Sequence, residues 1–72
     1  MNKEIRLLDV VALAEDLPDR GLVQGQVGTV VEEIAPDVYE VEFSDNSGRT
    51  YAIGAIDANS LIVLHYRNAQ VG

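Results

Sequence analysis

The 72-residue sequence contains no cysteine and no tryptophan, and only five of its residues are lysine or arginine. The lack of cysteine excludes disulfide bonds and thiolate metal sites, so a small core has to be stabilised by good packing or by an oligomer. It also suits a reducing compartment. No apolar run approaches the roughly 20 residues that cross a bilayer, and residues 1–9 lack the features of a secretory signal. We therefore expect a cytoplasmic protein without a membrane segment.

The shortage of basic residues leaves a strong negative charge. Twelve acidic residues against five basic ones give a formal net charge of −7. Phosphate backbones bind proteins largely through lysine and arginine, so this charge argues against direct DNA binding and makes RNA an unfavourable ligand. The charge either serves only to keep the domain soluble or serves to recognise a basic protein, and composition leaves both explanations open.

Turn-forming residues divide the chain into short strand patterns. Residues rich in β-branched and aromatic side chains are separated by clusters of proline, glycine, aspartate and asparagine, and we predict strands over residues 8–14, 26–34, 38–43, 49–53 and 61–65. The long first connection carries Leu17, Leu22 and Val23, which we expect to fold back onto the core. Residues 57–60 predict a single 3₁₀ turn capped by Asp57, directly before the last strand.

Residues 38–43, VYEVEF, show the most regular alternation in the chain. Tyr39, Val41 and Phe43 are expected on one side of their strand, facing the core. The other side carries Glu40 and Glu42 and is expected to face solvent. This pattern is typical of a sheet that is buried on one face.

Five short strands without a helical period predict an all-β fold. An open five-stranded sheet would leave an apolar face exposed, so we expect closure or near-closure. The prediction is a small five-stranded SH3-like barrel with one 3₁₀ turn before the last strand. It is a single domain, residues 1–72, with a core over about residues 7–66, a frayed N-terminus and a frayed tail over residues 67–72.

Residues 25–33, GQVGTVVEE, place two glycines around a β-branched run. Gly25 and Gly28 lack the spacing of a phosphate-binding loop, and no helix follows them. We expect the glycines to allow a bend and a close approach of strands instead. Val27, together with Val30 or Val31, is expected to contribute to the core.

The order of these elements supports a resemblance to known barrels. The G-x-V-G-T-V strand followed by a V-x-V-x-F strand resembles SH3-like and KOW-like barrels of ribosomal and transcription proteins. Residues 7–64, from LLDVVALAEDLPDRGLVQGQVGTVVEE through VYEVEFSDNSGRTYA to LIVL, resemble a family of small bacterial proteins classified as a domain of unknown function, DUF4926. This resemblance implies a small β-barrel of bacterial origin and brings no established active site.

Two departures from better-known barrels narrow the function. The segment ALAED stands where peptide-binding SH3 domains carry an ALYDY-type motif, and Ala14 occupies the aromatic position. Polyproline docking needs an aromatic-lined groove, which argues against that role. KOW-like barrels that touch RNA use basic loops, whereas this chain has acidic residues at the comparable turns, namely Glu32, Glu33, Asp37 and Asp45.

No group of residues predicts catalysis, a cofactor or a metal. The turn DNSG at residues 45–48 lacks the glycine and glutamate positions of a calcium-binding EF-hand loop. His65 is the single histidine, so a zinc site would need carboxylates or another subunit. No spacing selects a triad of His65 with Ser44 or Ser60, and exposed carboxylates have little reason for divergent pKa values. We expect a protein that is not an enzyme.

The glutamates of the central hairpin form a candidate partner-binding surface. Glu32, Glu33, Glu40 and Glu42 lie on two strands folded antiparallel by the turn at residues 35–37, so some of them should be neighbours across the strands. Like charges so placed are destabilising by about 0.2–1 kcal/mol per pair. The anchors of this surface, where they are exposed, are expected to be aromatic: Tyr39, Tyr51 and Tyr66.

Three functions follow from these observations. The favoured one is a non-enzymatic acidic protein–protein interaction module, such as an antitoxin, an immunity protein or an accessory subunit, that binds a basic protein. The second is a KOW-like module of RNA- or ribosome-associated function, with Arg20 and Arg49 as its loop contacts. The third is a purely structural barrel that self-associates through a sheet edge into a homo-oligomer.

Overall fold

A computed structural model describes residues 4–65 and shows five antiparallel strands. The strands are β1 (Val10–Leu13), β2 (Val27–Ala35), β3 (Val38–Ser44), β4 (Thr50–Asp57) and β5 (Leu61–Val63). Two 3₁₀ turns, Pro18–Arg20 and Ala58–Ser60, complete the described elements. The all-β class, the five strands and the 3₁₀ turn before β5 are confirmed. The turn at Pro18–Arg20 lies in the long first connection, for which no regular element was predicted.

The strands form one open sheet in the order β4-β3-β2-β1-β5, with β4 and β5 at its two edges. Both edges nevertheless contribute to the same hydrophobic cluster, which includes Ile56 of β4 and Leu61 of β5 as well as Val11 and Val41 from the middle of the sheet. The sheet therefore curls around its core, although its edges are not hydrogen-bonded to each other. No helix within residues 4–65 has the length and apolarity to cross a membrane.

The alternation predicted for β3 is confirmed. Tyr39, Val41 and Phe43 are buried and Glu40 and Glu42 lie on the other side. The largest fully buried side chains are Phe43, Leu13, Leu61, Val11, Val30 and Val41. This cluster defines the core side of the sheet, and the opposite side is called the outer side below.

The long first connection closes the core as predicted, with one exception. Leu22 is buried and Leu17 packs against the core, and the two residues form an isolated β-bridge. The expectation for Val23 is wrong, because its side chain is exposed. The backbone N–H of Val23 is held by the side chain of Gln26, which fixes this residue at the surface.

Gly25, which precedes β2, and Gly28, which lies within β2, have different roles. Gly25 bends the chain with a φ of 91° and donates its N–H to the Leu13 carbonyl at 2.8 Å. Gly28 and Val30 face the core, whereas Val27 is exposed, so the prediction of a buried Val27 is wrong. The inward position next to Val30 is taken by Gly28, which packs closely against β3.

All five strands differ from the predicted bounds by at least one residue, and β4 differs the most. β4 continues through Gly54 to Asp57, because the β3 ladder extends that far and pairs Val41 with Gly54 and Val38 with Asp57. β1 begins at Val10 rather than at Leu8, because Leu8 has a φ of 70°. Asp57 stands at the start of the second 3₁₀ turn, but the predicted side-chain cap is not formed.

The β3–β4 turn is held by one carboxylate. The Asp45 side chain accepts hydrogen bonds from the backbone N–H groups of Ser47 at 2.9 Å and Arg49 at 3.0 Å. The bond from the Arg49 N–H, reinforced by Ser47, lowers the pKa of Asp45 below its usual 3.8. This is the local bonding that turn-forming aspartates typically make.

We expect Asp45→Ala to be less stable than the wild type at neutral pH. A carboxyl whose pKa is lowered by folding contributes stability above its unfolded pKa, and that contribution is lost as the pH falls through its folded pKa. The difference in melting temperature should therefore shrink when the pH is lowered below 3.8. Asp45→Asn keeps one oxygen acceptor and should lose less. A difference between Asp45→Ala and wild type that is independent of pH would contradict the role of the charge.

Candidate functional site

The central hairpin brings three of the four predicted glutamates together on the outer side. Glu32 of β2 lies directly opposite Glu40 of β3. Glu42 lies two residues further along β3, opposite Thr29 and on the same side as Glu40. These three residues, Glu32, Glu40 and Glu42, are called the acidic face below. The expected juxtaposition of carboxylates is therefore present in the fold.

A β-bulge decides which glutamate of β2 joins the acidic face. The register shifts between Val30 and Glu32, so that Val31 is an extra residue with no partner of its own on β3. Strict alternation from the buried Val30 would have turned Glu32 toward the core side. The extra residue reverses this, because an inserted residue exchanges the two faces of a strand. Glu33 consequently pairs with Tyr39 and is not part of the acidic face.

Tyr39 does not meet the condition set for an anchor. Its side chain is only 7% exposed and belongs to the core cluster. Burial raises the pKa of Tyr39, and the nearby carboxylates of Glu33 and Asp37 raise it further. A buried phenol that stays protonated contributes packing, so Tyr39 is removed from the candidate contacts with a partner.

Tyr51 is exposed but lies away from the acidic face. About half of its surface, 49%, is accessible, and its hydroxyl accepts a hydrogen bond from the Gln26 side-chain amide at 3.2 Å. Its ring lies 6.4 Å from the ring of Phe43, a core-side residue. This places Tyr51 beside the core-side surface near the start of β4. Tyr66, the remaining predicted anchor, lies outside the described residues.

An apolar residue that sequence reasoning missed borders the acidic face. Ile53 of β4 lies opposite Glu42, and Ala55 lies opposite Glu40. The Ile53 side chain is 54% exposed, which is high for isoleucine in a strand. Counting back from the DNSG turn without the register shift between Phe43 and Ser44 would place Ile53 opposite Val41, on the core side, so no local signal in the sequence predicts its position.

No cation within residues 4–65 forms an ion pair with a carboxylate of the acidic face. Among residues 4–65 the ion pair joins Arg6 to Glu4 at 3.2 Å, and both residues are remote from the central hairpin in sequence. Arg20, one of the two predicted RNA contacts, places its guanidinium against Gly54 of β4. Arg49, the other, follows the DNSG turn. The glutamates thus remain uncompensated within the described part of the chain.

The described residues hold no group of three or more His, Asp or Glu side chains arranged to bind a metal ion. Ser60 donates its hydroxyl hydrogen bond to Glu15 at 2.6 Å, which ties the second 3₁₀ turn to the end of β1. A hollow of about 330 Å³ between the N-terminal segment and β5 is lined in part by Arg6, Asp9 and His65. Its lining includes no serine or threonine beside His65.

Glu32→Lys should raise the free energy of unfolding by about 1 kcal/mol. The substitution replaces a directly opposed pair of like charges by a pair of opposite charges, and each arrangement contributes a few tenths of a kcal/mol or more. Chemical denaturation at low salt measures the gain, which high salt should reduce. Asp19→Lys makes the same change in net charge away from the hairpin. An equal gain in Asp19→Lys would show that net charge, rather than the Glu32–Glu40 pair, is responsible.

Comparison with known proteins identifies a family and no characterised relative. The family model described as "Domain of unknown function (DUF4926)" matches residues 7–63. No curated protein and no solved structure shows a significant match. The matched segment includes all five strands, the acidic face and both 3₁₀ turns. Because the match extends over most of its length, this chain belongs to the DUF4926 family of unknown function.

Proposed function

We propose that this protein is a non-enzymatic protein–protein interaction module whose acidic face binds a basic partner, in the role of an antitoxin, an immunity protein or an accessory subunit. The observation that carries the proposal is the direct opposition of Glu32 and Glu40 on the outer side of the sheet. A third carboxylate, Glu42, lies on the same side, and no cation within residues 4–65 pairs with any of the three.

The energetics of the Glu32–Glu40 pair favour a role outside the isolated fold. Like charges opposed across two strands destabilise a sheet, and uncharged or oppositely charged residues at these positions would avoid the cost. Lysine or arginine side chains of a partner would convert the repulsion into attraction when the complex forms. The repulsion that destabilises the free protein therefore makes the protein selective for a basic surface.

The surroundings of the acidic face fit a protein partner. The exposed Ile53 beside Glu42 offers an apolar contact of the kind that supplies affinity at the centre of an interface. Charged residues around such a contact mainly steer the encounter and select the partner. The net charge of −7 adds long-range attraction toward a basic protein and repels phosphate backbones.

The test is a capture experiment with two matched charge-reversal variants. The tagged protein is used to isolate its partner from a lysate of its own host, and the purified partner is then titrated against the variants. Glu40→Lys with Glu42→Lys should weaken binding by about tenfold or more, and high salt should weaken wild-type binding. Asp19→Lys with Glu33→Lys makes the same change in net charge outside the acidic face and should bind nearly as well as the wild type.

Two results would contradict the proposal. Equal loss in both double variants would show that overall charge alone determines binding. Unchanged binding of Glu40→Lys with Glu42→Lys would show that the partner uses another surface. Thermal melts of each variant establish that a loss of binding is not a loss of folding.

A further inference from the structure

Apolar side chains form a row across the outer side of the sheet, from β5 to β2. Ala12 of β1 lies opposite Ile62 of β5 on one side and opposite Val27 of β2 on the other. Ile62 and Val27 are exposed, whereas Val11 and Leu13, the neighbours of Ala12 in β1, are buried in the core. Because Ala12 has the smallest side chain of the row, it forms the floor of a shallow groove with Ile62 and Val27 as its walls. These three residues are called the apolar groove below.

The dimensions of the apolar groove fit an α-helix. Neighbouring strands lie about 4.8 Å apart, so the two walls stand roughly 10 Å apart, which is close to the diameter of a helix with its side chains. β1 is hydrogen-bonded to β2 and β5, so a segment that lies on this face of the sheet has to satisfy its own backbone groups. An α-helix does this within a single segment, and helices commonly cover the face of a sheet.

The acidic face borders the apolar groove on the same side of the sheet. In the next row along the strands, Val10 of β1 lies opposite Thr29 of β2, and Thr29 lies opposite Glu42 of β3. The opposed carboxylates of Glu32 and Glu40 follow one row further. A helix that lies in the groove along β1 therefore has these carboxylates on one flank only, the flank toward β3.

A second copy of this chain does not fit this surface. The five strands contain no lysine and no arginine, so two outer sides placed face to face would oppose their carboxylates without a strand cation between them. The net charge of −7 adds to that repulsion. The occupant of the groove therefore has to supply both apolar side chains and positive charge.

We propose that a basic partner docks on this protein through an amphipathic α-helix that lies in the apolar groove along β1. Its apolar side chains, three and four residues apart, contact Ala12, Val27 and Ile62. Its lysine or arginine side chains, on the flank toward β3, pair with Glu40 and Glu42. The apolar contacts supply affinity, and the carboxylates fix the orientation of the helix. This inference rests on the proposed function and names the segment of the partner that the acidic face recognises.

The test uses the purified 72-residue chain and two synthetic peptides of roughly 18 residues, built from leucine, lysine and glutamine. In the first peptide the leucines repeat at helical spacing and the lysines lie on one flank. The second peptide has the same composition in an order without helical periodicity. The first should bind with an increase in its helical circular dichroism, and the second should bind about tenfold more weakly or worse.

Variants that keep the net charge separate the apolar groove from the acidic face. Val27→Ser with Ile62→Ser should weaken binding of the helical peptide about tenfold, because both walls of the groove are lost. Leu7→Ser with Val23→Ser removes two exposed apolar side chains that lie outside the strands, and this variant should bind as the wild type does. Thermal melts of the free variants establish that each one is folded.

Three results would overturn the docked helix. Equal binding of the two peptides would show that charge alone attracts them, and no binding of the helical peptide would exclude this mode of docking. Unchanged binding by Val27→Ser with Ile62→Ser would show that the groove is not used. If Glu40→Lys with Glu42→Lys still weakened binding in that case, the acidic face would remain a binding surface and only the helix would be excluded. Unchanged binding by the lysine double variant would contradict the inference and the proposed function together.

Discussion

Gly28→Ala should destabilise the fold by about 3 kcal/mol, the upper part of the range for overpacking a close contact. A Cβ atom added at Gly28 would lie 2.7 Å from Val41 Cγ1, 2.9 Å from the Glu42 carbonyl oxygen and 3.0 Å from Phe43 Cδ2. The second of these is a backbone atom within the β2–β3 ladder, so rotation of a side chain cannot relieve it. The strands would have to separate at their point of closest packing.

The predicted effect of Gly28→Ala is opposite in sign to the usual effect of replacing a glycine inside a strand. Glycine inside a strand usually lowers stability by about 0.5–1 kcal/mol, so alanine would be expected to help. Gly48→Ala is the matched control, because Gly48 has a φ of 83° and open space around the added Cβ. Its cost is conformational alone, about 1 kcal/mol. Urea denaturation of both variants gives the comparison, and a Gly28→Ala variant as stable as the wild type would contradict the close approach.

Phe43→Ala should cost about 4 kcal/mol, which is the typical loss for removing a buried phenylalanine. Phe43 is fully buried on the core side of β3, where it faces Gly28 on one neighbouring strand and Ala52 on the other. Neither of these small residues can fill the space left by the ring. A domain of 72 residues has a total stability of roughly 4–11 kcal/mol, so this variant should retain at most about 7 kcal/mol and should melt at a clearly lower temperature than the wild type.

Two milder variants keep the Phe43 prediction measurable. Phe43→Leu preserves an apolar side chain and should cost roughly 1.5 kcal/mol. Val27→Ala, on the outer side of β2, should cost less than about 1 kcal/mol because Val27 is already exposed. If Val27→Ala proved as damaging as Phe43→Ala, the assignment of the two faces of the sheet would be wrong.

Local signals predicted most of the architecture. The alternation of VYEVEF assigned Tyr39, Val41 and Phe43 to the core because β3 pairs with β4 without a register shift from Val38 to Phe43. Aspartate, glycine and proline in the turns indicated where strands end, because these residues accept backbone conformations or hydrogen bonds that strands do not use. Such signals depend on neighbouring residues, so they are readable without the fold.

The predictions that failed depend on contacts between distant segments. Val27 appears as good a core residue as Val30, and only the packing of Gly28 against β3 decides which positions face inward. β4 was expected to end before Gly54, but its pairing with Val41 continues the strand. Tyr39 is different, because its burial follows from the local alternation within β3 that had already assigned it to the core.

The sequence predicts which glutamates lie on the central hairpin, but it does not predict which side of the sheet each of them faces. The four glutamates could be assigned to two neighbouring strands, because the Ala35-Pro36-Asp37 turn is evident from the sequence. Their division between the two sides of the sheet could not. It depends on the register shift at Val31, and such shifts arise from competition among hydrogen-bond registers over the whole hairpin.

The bulge at Val31 also gives the hairpin its shape. A bulge strengthens the local right-handed twist of a strand pair and bends the bulged strand. Deleting Val31 would leave the residue after Val30 opposite Glu40, and that residue would still be Glu32. The deletion would therefore produce a flatter hairpin with an unchanged pattern of carboxylates. Deletion of this one residue therefore tests the curvature of the hairpin separately from its charge.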